Sequence, residues 1–162
     1  MSKKKPASPD PAMCTEDNAK SICYEFALFD WLPTELPDWD HAKLPGTGYG
    51  NVDQMHFSAL LEAFLIHTRV LLDFLGPTRS KDDFLAIDFV GTWNTSLASQ
   101  CPALDAAERE KLNKMVAHPS ARRQLDKATT QWDYTLIHRE LSVVVAVFKA
   151  EVRNTQYGAW FP

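Results

Sequence analysis

The sequence has little of what usually announces chemistry. Its three cysteines, Cys14, Cys23 and Cys101, are odd in number and widely spaced, with no CxxC and no paired Cys/His spacing. That argues against a disulfide framework or a zinc site, and reduced thiols in a cytoplasmic protein are the economical reading. The longest apolar run, "VVVAVF" at 143–148, is far shorter than the ~20 residues that span a bilayer. The formal net charge of -4 gives no global drive toward nucleic acid or an anionic membrane. "MSKKKPASPDPAM" carries basic residues with no apolar stretch after them, so a secretory signal is not expected. The six glycines make no phosphate loop, because "PGTGYG" lacks the GxGxxG spacing and a following helix with lysine. HExxH, paired ExxH and GxSxG are also missing, so neither a metal, a cofactor nor a serine-hydrolase site is expected.

What is present is a core. Hydrophobic residues make up 45% and aromatics 11% of 162 residues, which fits one globular domain of ordinary size. Residues 1–18 hold three lysines and three prolines among small and polar residues and read as a disordered tail. Residues 19–154 read as the helical domain and 155–162 as a C-terminal tail whose Tyr157, Trp160 and Phe161 either dock or stay exposed. In "AKSICYEFALFDW" (19–31) the stripe Ile22, Phe26, Phe29 predicts a short helix ended at Pro33. A long proline- and glycine-bearing connection follows, to residue 51.

The clearest element covers residues 52–76. Phe57, Leu60, Leu61, Phe64, Leu71, Leu72 and Leu75 follow helical spacing, and Ala59, Ala63, Ile66, Val70 and Phe74 form a second apolar stripe. The polar strip left over is narrow: Ser58, Glu62, Arg69 and Asp73. Such a helix is expected to be central and mostly buried, ending at Gly76-Pro77. After it, Ser80 with Asp82 and Asp83 can cap a short or irregular helix that packs Phe84, Ile87, Phe89, Val90 and Trp93. Residues 105–118 predict another helix, with Leu112, Met115 and Val116 inward and a break near Pro119. A long C-terminal helix is expected over about 127–152, where length favours helix over strand despite the β-branched run. The expected class is all-α, an orthogonal or up-down bundle of four to six helices.

Candidate sites follow from residues out of place. His67 falls inside the apolar arc of the central helix, and Glu140 on the inner face of the last one, with Asp133 one heptad earlier. If those helices are neighbours, His67 and Glu140 make a buried polar pair, since a buried carboxylate needs such a partner. Glu62, Arg69 and Asp73 are candidate binding residues, because a polar strip on a buried helix is a natural cleft lining; Arg69 and Asp73 also suit a surface ion pair at i,i+4. Charge is uneven along the chain. Residues 25–62 carry seven acids against Lys43, whereas 109–127 carry six bases against Glu110 and Asp126. The two segments either face each other or leave a basic docking face that includes Arg122 and Arg123.

"LNKMVAHPSARR" (112–123) places Asn113 and His118 five residues apart. On a regular helix that separates them by about 140°, so they do not meet on one face. His118 sits where the helix dipole favours a protonated imidazole.

Two resemblances bear on these residues. "EAFLIHTRVLLDFL" (62–75), "DDFLAIDFV" (82–90), "LNKMVAH" (112–118) with Arg123, and "QWDYTLI" (131–137) look like a family of small uncharacterised bacterial all-helical proteins. That resemblance implies a fold and no activity. Asn113 and His118 also resemble part of the signature of HEPN domains, helical bundles that are often dimeric and often RNases. The signature runs arginine, polar residue, variable residues, histidine; here position 112 is leucine. The HEPN resemblance implies metal-independent RNA cleavage with His118 as acid/base and Asn113 positioning it. Without the arginine it implies a binding module instead. The expected function is therefore a helical module that binds a protein partner or itself, with RNase activity the alternative.

Overall fold

A computed structural model describes residues 5–36, 52–80, 83–117 and 132–162. The chain is an all-α bundle. Among the described residues it has five α-helices: α1 (Glu16–Glu35), α2 (Val52–Leu75), α3 (Ala86–Phe89), α4 (Ala106–Ala117) and α5 (Tyr134–Val152). Helix α1 packs against both α2 and α5, and α4 packs against α2. Rings from all sides fill the centre. Phe148 of α5 lies 5.1 Å from Phe74, 5.6 Å from Trp93 and 5.4 Å from Phe161, centroid to centroid. These edge-on arrangements suit the ring quadrupoles.

Several elements differ from expectation. Helix α1 begins three residues earlier, because Thr15 caps it by accepting from the Asn18 N–H at 3.2 Å, with Glu16 and Asp17 in the first turn. Pro33 lies inside α1, close enough to its end to interrupt only the final turn. The described part of the predicted tail is pinned to the bundle. Strand β1 (Lys5–Pro6) pairs antiparallel with β2 (Thr78–Arg79), and a 3₁₀ turn spans Pro11–Met13. Of the two alternatives for the C-terminal segment, docking holds: Gly158–Trp160 form a 3₁₀ turn and Phe161 is buried. Ser80 does not cap a helix. Its N–H donates to Asp83 at 2.7 Å, and α3 starts instead at Ala86, after the N-cap Leu85 whose N–H is held by the Asp88 carboxylate at 2.7 Å. Asp133 is the N-cap of α5, accepting from the Leu136 N–H at 2.8 Å, so it is not an inner-face residue of a longer helix.

Helix α2 runs as predicted but is not buried all round, since Ile66 and Val70 stand exposed beside the polar strip. Asp88 is the structural anchor of the N-terminal segment. Its buried carboxylate accepts from Arg79, from the Asp10 N–H at 2.8 Å and from the Leu85 N–H. Arg79 donates in turn to the Ser8 and Asp83 carbonyls.

Candidate functional site

Helices α2 and α4 leave a small open cleft of about 120 Å³ near the C-terminal end of α2. Its lining joins Arg69, Leu72, Asp73 and Gly76 of the α2 end with Pro77 and Thr78, and faces Arg109, Leu112 and Asn113 of α4. The backbone comes close at Gly76, where an added Cβ would stand 2.7 Å from the Leu72 carbonyl oxygen. A side chain there would have to displace backbone, so glycine suits the turn that opens the cleft.

Each cleft residue is placed by its helix. Arg69 and Asp73 are one turn apart, and their side chains approach to 3.9 Å between Nε and Oδ2 while staying partly exposed. A contact that long and wet contributes at most a few tenths of a kcal/mol. Arg109 is different. Its Nε donates to the Leu104 carbonyl at 2.6 Å and its Nη2 to the Ala98 carbonyl. It therefore ties the 3₁₀ turns Leu97–Gln100 and Pro102–Leu104 to α4. Asn113 is exposed and Leu112 is buried beneath it. Helix α4 itself is opened by Asp105, whose carboxylate accepts from the Ala107 and Glu108 N–H groups.

Three candidates from different parts of the sequence thus meet in one place: Arg69, Asp73 and Asn113. Glu62 lies two turns before Arg69 on α2 and outside the cleft lining. His118, Arg122 and Arg123 lie outside the described residues.

His67 and Glu140 are not partners. His67 Nδ1 meets Glu25 Oε2 of α1 at 2.6 Å, and Glu140 Oε2 accepts from the Ala103 N–H at 2.8 Å. Helix α1 lies against both α2 and α5, and its carboxylate reaches the imidazole first. The carboxylate can only accept, so Nδ1 carries the proton. Tyr24 sets its ring edge-on to His67 at 6.2 Å. This dyad clasps α1 to α2. The described charges on α4 and α1 have these partners. Lys111 and Lys114 pair with Glu108 and Glu110 on their own helix, while Asp30 meets His138 and Lys149 of α5.

The thiols are not activated. Burial pushes the Cys101 thiol above its ordinary value, with Arg109 offsetting part of the rise. Burial does the same for Cys14 and Cys23. Cys14 also donates to the Asp88 carbonyl at 2.8 Å. Among the described residues no cluster of three or more His, Cys, Asp or Glu could hold a metal, and no helix is long and apolar enough to cross a membrane.

Sequence reasoning missed Glu25, Arg109 and the Arg79–Asp88 pair. A signal existed for the last: Asp88 is the lone charge in the apolar stretch "FLAIDFV". Comparison of the chain with protein-family models, with curated proteins and with solved structures found no match.

Proposed function

We propose that the chain is a helical binding module that docks a partner protein at the α2/α4 cleft and performs no catalysis there. One observation carries this reading: Arg69, Asp73 and Asn113 converge on one open cleft, and among the described residues its lining holds no nucleophile with an adjacent base. A cavity of about 120 Å³ is well below the ~300–1,000 Å³ of small-molecule sites. It suits one side chain of a partner, gripped by a guanidinium, a carboxylate and an amide of complementary polarity. The test is capture from an extract of the native host, followed by binding of the purified pair. A partner held by wild type and by a remote control variant, Lys149→Ala, but released by Arg69→Glu and by Asn113→Ala, supports the reading. Equal retention by all four proteins sinks it.

A second reading has one observation in its favour. The HEPN-like signature lacks its arginine at Leu112, yet Arg69 and Arg109 line the cleft beside Asn113. In that reading an arginine supplied through space stabilises the phosphorane and His118 acts as acid/base. RNA cleavage in EDTA that vanishes in His118→Ala would replace the first reading with this one. A cytoplasmic setting accords with three reduced thiols.

A further inference from the structure

A different face of the molecule, independent of the cleft, presents a self-complementary pattern. Among the exposed large apolar side chains, Tyr24 (60% exposed) and Trp31 (49%) lie on α1, and Ile66 (43%) and Val70 (38%) on α2. The two helices are packed side by side, and Tyr24 already touches His67, the neighbour of Ile66. Together these side chains put two aromatic and two aliphatic groups on one exposed face, a grouping that favours contact with another protein surface.

The pattern along α1 says what covers it. The outward stripe is Lys20, Tyr24, Ala27 and Leu28, Trp31, Glu35, with helical spacing and Leu28 half-buried. Laid antiparallel on a second copy, about a midpoint between Ala27 and Leu28, the stripe matches itself. Lys20 meets Glu35 of the other copy at each end, Tyr24 meets Trp31, and Ala27 meets Leu28. A two-fold axis requires this reciprocity, because each residue must find its partner's counterpart twice. The end charges run against the helix's own dipole. Lys20 is near the N-terminus, Glu35 is the last residue, and the final turn holds no basic residue. Within one chain that arrangement is mildly unfavourable; between antiparallel copies it is complementary. Lys20 has one partner inside its own helix, Glu16 at 2.8 Å, but both are well exposed, so that pair is weak.

We infer that the chain forms a two-fold homodimer through antiparallel α1–α1 packing, with Ile66 and Val70 of α2 flanking the seam. A standard interface takes about 800 Å² per partner, so the aromatic patch forms the core and the Lys20–Glu35 pairs form the rim.

The experiment is sedimentation velocity of the full chain over a wide concentration range, with circular dichroism confirming that each variant is folded. Wild type is expected to shift from monomer to dimer with concentration. Trp31→Ala, counted twice in the symmetric interface, weakens the dimer by about a hundredfold. Lys20→Glu sets like charges against each other at both ends and weakens it by about tenfold or more. Because glutamate suits a helix N-terminus, this variant keeps α1 intact. The double variant Lys20→Glu, Glu35→Lys restores opposite charges and returns the dimer toward wild-type strength. A monomer at every concentration overturns the inference. So does a dimer indifferent to Trp31→Ala, or a double variant no tighter than Lys20→Glu alone.

Discussion

Removing the Asp88 carboxylate tests the anchor that holds the N-terminal segment to the bundle. Its side chain is fully buried (0% exposed) and Arg79 is nearly so (13%). In Asp88→Ala the Arg79 guanidinium keeps its two carbonyl acceptors, at Ser8 and Asp83, and loses its carboxylate partner. The Asp10 and Leu85 N–H groups lose their acceptor as well. Breaking a buried pair by removing one member costs about 3–5 kcal/mol. Each orphaned buried N–H adds about 1–3 kcal/mol before relaxation. Half-buried Asp10 can recover water, so the expected loss is about 4–6 kcal/mol, a large part of the ~5–15 kcal/mol a domain of this size holds. Asp88→Asn keeps the shape but turns an NH₂ toward a donor, and should lose about 2–4 kcal/mol. Urea denaturation followed by far-ultraviolet circular dichroism measures both. A loss under ~1 kcal/mol for Asp88→Ala, with an unchanged slope, would refute the reasoning.

Other predictions concern the core and the thiols. Phe148→Ala, which empties the meeting point of Phe26, Phe74, Trp93 and Phe161, should cost about 3–5 kcal/mol in the same assay. Because burial raises all three thiols above their ordinary value of 9.0, labelling by an aromatic disulfide at pH 8 should be slower in the folded chain than in urea for each. The same shift fixes the sign of the alkaline response. Above about pH 9.0 the unfolded chain ionises its thiols first, so their contribution is intact below that pH and lost as pH rises through the folded value. Replacing Cys101 with alanine should flatten the loss of stability between neutral and alkaline pH, read from urea midpoints at each pH.

The bundle was legible because its helices obey their period. In α2 the apolar spacing runs unbroken from Phe57 to Leu75, and a stretch that long has no other way to bury it. The start of α1 was missed although Thr15 followed by Glu16 and Asp17 is a helix-entry pattern; the prolines just before it made the whole stretch read as tail. Pairing between helices was the harder matter. His67 was recognised as out of place, but which carboxylate meets it depends on which helix lies alongside, and α1 brought Glu25. Periodicity fixes a residue's face and leaves its neighbour open. The cleft shows the same division: Arg69 and Asp73 read as a lining from one helix alone, while their meeting with Arg109 and Asn113 depends on where α4 packs.

A partner docked at the α2/α4 cleft, as proposed, would lie within reach of Asn113. A photo-crosslinking amino acid placed at exposed Asn113, in the native host, reports directly on what occupies it. The account predicts an adduct with one protein that disappears when Arg69→Glu is added, and no such adduct from the same probe at Ala150 on the far helix. No adduct at Asn113, or one that persists unchanged with Arg69→Glu, would contradict it.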